Sequence, residues 1–164
     1  MARRYQLLFV CTGNSARSIM AEALANTLGK DRFHAYSAGS HPHGDVHPLA
    51  LQALRDADVP TDGLRCKSWD EFAAPDAPDM DLVITVCDKA AGETCPAWPG
   101  HPVTAHWSVE DPVAVSGTPE QMHRAFVHAR QQLQHRISLL LALKPEALDR
   151  LALEQQVNRI GHTA

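Results

Sequence analysis

The run Cys11-Thr12-Gly13-Asn14-Ser15-Ala16-Arg17 puts five residues between a thiol and a guanidinium, and it stands where the apolar stretch Leu7-Leu8-Phe9-Val10 stops and a helical pattern starts. A loop that feeds a helix N-terminus aims several backbone N–H groups at one point, and the helix dipole adds partial positive charge there. Such a loop suits a tetrahedral oxyanion. The same field favours a thiolate, so Cys11 is expected to have a lowered pKa and to act as a nucleophile. Arg17 adds a planar fork of donors that takes two oxyanion oxygens at once and never loses its charge. Thr12, Gly13, Asn14, Ser15, Ala16, Arg17 and Ser18 are thus the expected oxyanion-binding residues. The competing reading of Cys11 is a buried thiol without a task. The arginine and the Gly-Asn-Ser turn chemistry beside it favour the anion loop.

Strand-like runs at residues 5–10, 33–37, 82–86 and 103–107 alternate with helical ones, the pattern of an α/β fold with a parallel sheet flanked by helices. From Arg17 on, Met20, Ala21, Leu24, Ala25 and Leu28 recur at helical spacing, and Gly29 stands at the C-cap position. Residues 48–57 supply a second helix with Leu49, Leu51 and Leu54 apolar. Thr118-Pro119-Glu120-Gln121 is a capping box, and Met122, Phe126, Leu133, Ile137 and Leu140 continue a long helix from it. Lys144-Pro145 interrupts that pattern, and residues 146–160 form a further amphipathic stretch ending at Gly161. The expectation is one domain over residues 1–164, with a core at about 5–143 and a C-terminal helical extension at 145–161, because too few residues remain for a second core.

Composition sets limits on function. Apolar residues make up 45% and charged residues 21% of the 164, which is the balance of a soluble globular protein. A formal charge of −4 gives no electrostatic reason to expect nucleic acid. The longest apolar run, residues 139–143, is far short of the roughly 18 residues of a membrane span. The short apolar segment after Arg3-Arg4 lacks a cleavage site, so the expected location is cytoplasmic. In a reducing compartment the four cysteines point to catalysis or metal binding more than to structural disulfides. Cys87 and Cys95 have no second pair at zinc-finger spacing. His41, His43 and His47 fall in a proline-rich loop and read as solvated. His123, His128 and His135 miss the one-turn spacing that a metal prefers. No metal is expected.

The stretch from Phe9 to Ser18, followed by Met20-Ala21-Glu22-Ala23 and then Ser37-Ala38-Gly39, resembles the low-molecular-weight tyrosine phosphatase superfamily. Val83-Ile84-Thr85-Val86-Cys87-Asp88 with Cys95-Pro96, then His106-Trp107 leading into Asp111-Pro112, is similar to the thioredoxin-coupled arsenate reductases built on that fold. The resemblance spans about residues 6–143. It implies a three-layer fold around a four-stranded parallel sheet, here with an extra C-terminal helix.

It also implies roles. Cys11 matches the nucleophile, Arg17 the oxyanion-binding arginine and Asp111 the acid that protonates a departing oxygen. Cys87 matches the thiol that attacks Cys11, and Cys95 the thiol that takes over the disulfide and presents it to an external thiol reductant, thioredoxin first among candidates. No cofactor is bound in this scheme, the partners are an arsenate- or phosphate-like oxyanion and the reductant, and nothing demands more than a monomer. Asn14, Glu22 and Ser37 resemble positions that hold potassium in some reductases, which keeps potassium as an option, although that site's aspartate is not placed in this sequence. Other departures are Ala16, where many relatives carry a further cysteine, and Cys66, read as a structural thiol. The tyrosines that follow Asp-Pro in eukaryotic phosphatases are missing. Two alternatives stay open: a phosphomonoester or tyrosine phosphatase using Cys11 and Asp111, and a non-catalytic oxyanion or arsenical binder.

Overall fold

The computed structural model describes residues 5–42, 44–86, 102–143 and 150–161, the side chains of residues 150–154 excepted. Four short apolar strands lie parallel in the order β2-β1-β3-β4: β1 (Tyr5–Cys11), β2 (Phe33–Gly39), β3 (Leu82–Thr85) and β4 (Val103–His106). β1 is central, with Cys11 opposite Gly39 on one side and Val10 opposite Thr85 on the other. The chain winds from β1 outward to β2 and then returns across β1 to β3. Between β1 and β3 the loops at the carboxyl ends of the strands therefore diverge, and a crevice opens there. Cys11, the last residue of β1, stands at its mouth.

Helices flank the sheet: α1 (Arg17–Leu28), α2 (Pro48–Asp56), α3 (Pro119–Leu141) and α4 (Arg150–Ile160). α1 packs on β1, β2 and α3, and it buries Ile19 and Ala23 as well as Met20, Ala21, Leu24 and Ala25. Leu28, expected on the apolar face, is instead 40% exposed because the helix ends where the sheet beneath it ends. Gly29 is the C-cap, but its φ of −114° is open to any residue. Space is the reason for glycine here, since a Cβ would meet the Phe33 ring at 2.6 Å. In α2 the buried face is Ala50, Ala53 and Leu54, so alanines replace two of the three expected leucines. α3 begins with the reciprocal box, Thr118 Oγ1 accepting from Gln121 N–H and Gln121 Oε1 accepting from Thr118 N–H. Its buried face holds the expected Phe126, Leu133, Ile137 and Leu140, and also Arg130 and Arg136, whose guanidinium groups donate to backbone carbonyls.

Both edges of the sheet are occupied by side chains. On the outer edge of β2 the Asn26 amide pairs with one peptide, Nδ2 donating to Ala35 C=O at 3.0 Å and Oδ1 accepting from Ala35 N–H at 2.8 Å. On the outer edge of β4, α4 supplies Asn158 Oδ1 to His106 N–H at 2.9 Å. Trp107 follows β4, is fully buried against Phe9, and donates its indole N–H to Val157 C=O. Among the described residues no helix is long and apolar enough to cross a membrane.

Candidate functional site

The loop from Cys11 to Arg17 wraps the sulfur. Asn14 N–H lies 3.3 Å from Cys11 Sγ, and Ser18 Oγ lies 2.8 Å from it. Donor and acceptor roles follow from one fixed point. Lys67 N–H can only donate, and it meets Asn14 Oδ1 at 2.8 Å, so the amide nitrogen of Asn14 must face the other way and donate to Ser18 Oγ, also at 2.8 Å. With its oxygen accepting from Asn14, the Ser18 hydroxyl is left to turn its hydrogen toward the sulfur. Asn14 reaches this position at φ 48°, a left-handed conformation that asparagine tolerates better than most residues. Ala16 caps α1 without a side-chain hydrogen bond, and the first turn contains no acid. The N-terminal N–H groups of the helix and its positive dipole end therefore face the loop uncompensated by side chains, which is the arrangement that suits an oxyanion.

Parts far apart in sequence hold this loop from behind. Ser40 N–H donates to Cys11 C=O, His41 N–H to Thr12 C=O and His47 N–H to Ser15 C=O. Gly39 is tight against it, because a Cβ there would meet Thr12 O at 2.6 Å and Asn14 Cβ at 2.9 Å. Cys66 Sγ lies 3.2 Å from Gly13 C=O and 3.3 Å from Gly44 N–H, so this thiol has a structural place, bracing the loop. His47, read as solvated, caps α2 through Nδ1, and its ring lies against Phe126. No local pattern announces these contacts. They join residues that only the folded chain brings together.

Opposite Cys11's loop, the segment after β4 brings in Asp111. Arg17 Nη1 donates to Val109 C=O at 2.9 Å, and Nη2 lies 3.6 Å from Asp111 Oδ2. The other carboxylate oxygen accepts from Val113 N–H at 3.0 Å, which starts a short 3-10 turn at Pro112–Ala114. Loop, arginine and carboxylate are thus brought to one place, with the arginine as the link. Cys87 and Cys95 lie outside the described residues, as does His43.

Behind the loop, Lys67 Nζ sits 3.5 Å from Glu22 Oε1 and 3.4 Å from Ser37 Oγ, and Ser37 donates to Glu22 at 2.5 Å. Burial pulls the Lys67 ammonium below the usual lysine range, and Glu22 opposes that shift. This grouping does not fit a potassium ion at Asn14, Glu22 and Ser37, because an ammonium of the chain itself already balances Glu22 and stands beside Ser37 Oγ. Among the described residues no three histidine, cysteine, aspartate or glutamate side chains converge as a metal site.

Residues 6–157 match the family described as low molecular weight phosphotyrosine protein phosphatase. The chain belongs to that family. Within it the similarity runs to proteins named arsenate reductase: 37% identity over 132 residues to that of Bacillus licheniformis, covering 80% of this chain and 91% of the relative, and 34% over 131 residues to that of Bacillus subtilis, with the same coverage. A solved arsenate reductase in a phosphate-binding state superposes with a TM-score of 0.68 at 30% identity, over 84% of this chain and 97% of the other. A thioredoxin-dependent arsenate reductase of Corynebacterium glutamicum gives 0.56 at 25% identity, over 85% of this chain and 64% of that one. This places the chain in the arsenate reductase branch of the low-molecular-weight phosphatase family, as the motifs around Cys11 and Cys87 imply.

Proposed function

We propose that this protein reduces arsenate to arsenite by a relay of Cys11, Cys87 and Cys95, regenerated by an external thiol reductant of the thioredoxin kind. The observation that carries the reading is the Cys11 sulfur, met by Asn14 N–H and the Ser18 hydroxyl at the uncapped start of α1, with Arg17 joining that loop to Asp111. The family relatives named arsenate reductase support the choice of substrate.

Arsenate enters the loop with its oxygens on the backbone N–H groups and Arg17. The Cys11 thiolate forms a sulfur–arsenic bond, and one arsenate oxygen leaves as water, its proton supplied by Asp111. Cys87 then attacks Cys11 Sγ. A Cys11–Cys87 disulfide forms, the electron pair of the sulfur–arsenic bond passes to arsenic, and As(V) departs as As(III). Attack of Cys95 on Cys87 Sγ frees the Cys11 thiolate and leaves a Cys87–Cys95 disulfide for the reductant. A cytoplasmic, reducing setting fits a cycle that must return both cysteines to thiols.

The test is arsenite formation with thioredoxin, its reductase and NADPH, comparing the parent with Cys87→Ser. The variant is expected to give no sustained turnover. Mass spectrometry of the parent after one turnover without reductant is expected to show Cys87 joined to Cys95. A Cys87→Ser variant that cycles at the parent rate would sink the relay. A second reading is favoured by the fact that Cys11, Arg17 and Asp111 alone suffice for a phosphocysteine route: weak hydrolysis of phosphomonoesters is expected to persist in Cys87→Ser.

A further inference from the structure

Residues 106–109 run from the end of β4 to the acid loop, and each is held by another part of the molecule. His106 N–H donates to Asn158 Oδ1 at 2.9 Å, and Trp107 Nε1–H donates to Val157 C=O at 2.9 Å. Ser108 C=O accepts from Arg136 Nη1 of α3. Val109 C=O accepts from Arg17, whose other nitrogen reaches Asp111. The first two ties come from α4. They cannot be replaced by the sheet, because Trp107 N–H already bonds Thr85 C=O of β3, so His106 N–H points to the outer edge. α4 is also seated without slack. A Cβ on Gly161 would meet His106 O at 2.5 Å and Trp107 Cδ1 at 2.7 Å.

We propose that α4 is a positioning element of the reaction: Asn158, through His106, sets the course of residues 106–109 and so places the Asp111 carboxylate beside the anion loop. The inference rests on the reading of Asp111 as proton donor. Loss of the Asn158 tie leaves His106, the last residue of β4, with one fewer anchor on its outer side, and the carboxylate further along the segment shifts from its place. A displacement of about 1 Å can cost up to ~100-fold in rate. Asn158 touches no substrate and acts only through the segment it holds.

The experiment is the single-turnover rate of arsenite formation at saturating arsenate for the full-length parent, Asn158→Ala, Asn158→Asp, Asp111→Asn and the double variant Asn158→Ala/Asp111→Asn. Asn158→Ala is expected to be about tenfold slower, with its half-saturating arsenate concentration within about twofold of the parent's, because the anion loop is untouched. Asn158→Asp keeps an acceptor for His106 N–H and is expected to retain the parent rate. Asn158→Ala is expected to add nothing in the Asp111→Asn background, since its effect passes through that carboxylate. A general loss of folding would instead slow both backgrounds by the same factor, and that result, or an Asn158→Ala variant as fast as the parent, would overturn the proposal. A parent that makes no arsenite, or an Asp111→Asn variant as fast as the parent, would overturn the reading of the site itself and this inference with it.

Discussion

Replacing Ser18 with alanine removes one oxygen that lies 2.8 Å from both Cys11 Sγ and Asn14 Nδ2. Two consequences separate. The sulfur loses a hydroxyl donor, and a hydrogen bond to a charged group is worth about 1.5–3 kcal/mol. If that bond strengthens as the thiolate forms, its loss lowers the rate of attack by roughly tenfold to a hundredfold. Asn14, which is fully buried, is left with an unsatisfied amide hydrogen, costing a further ~1–3 kcal/mol of stability. For a chain of this size that is a fall of several degrees in Tm, at about 2–4 °C per kcal/mol. The assay pairs alkylation of Cys11 by iodoacetamide at neutral pH, followed by mass spectrometry, with a thermal melt. Alkylation slowed at least about tenfold, with the protein still folded at assay temperature, is the expected result. If Ser18→Ala alkylates within about twofold of the parent, the hydroxyl hydrogen does not point at the sulfur and the assignment of roles in the Asn14–Ser18–Cys11 chain is wrong.

Gly39→Ala places a methyl 2.6 Å from Thr12 O, so backbone of the anion loop must move. Overpacking of this kind costs about 1–3 kcal/mol, and inhibition by inorganic phosphate is expected to weaken; an unchanged inhibition constant would contradict the close approach. Lys67→Met leaves the Glu22 carboxylate without its cation in a site where its side chain is only 15% exposed, and a loss of about 3 kcal/mol in urea unfolding is expected. The same residue gives a pH signature. Burial holds the folded-state pKa of Lys67 below the ordinary lysine value of 10.5, so between the two values the unfolded chain binds more protons. Parent stability, taken relative to Lys67→Met, is therefore expected to rise with pH through that window, with the cost of burying the charge fully present below it; a difference that falls with pH would reverse the argument. Cys66→Ser keeps a donor to Gly13 C=O and is expected to retain activity, whereas Cys66→Ala is expected to loosen the loop and lower the affinity for phosphate, read by isothermal titration.

What the sequence makes legible here is whatever depends on neighbours along the chain. The Cys11–Arg17 loop, the capping box at Thr118 and the alternation of strands and helices each carry their reason within a few residues, and each is found in place. Strand ends are less legible: β2 runs on to Gly39 because that residue pairs with Cys11, and the extension is what brings Gly39 against the loop. The supports of the site lie beyond local reading altogether. Lys67 meets Asn14 across 53 positions, and Arg17 meets Val109 across 92. A lysine or a valine carries no sign in its surroundings that its backbone will hold the Cys11–Arg17 loop. Leu28 and the alanines of α2 show the other limit, since hydrophobicity marks a candidate for burial while the extent of the neighbouring layer decides which candidates are covered.

Asn26 has a bearing on how this molecule behaves at high concentration. A strand with an open flank can recruit the same flank of another copy, and the result is an unwanted growing ribbon. By occupying both the N–H and the C=O of Ala35, a single carboxamide leaves an incoming chain no partner at the middle of β2. Asn26→Ala would reopen that flank, so solubility is guarded by a residue remote from the reaction.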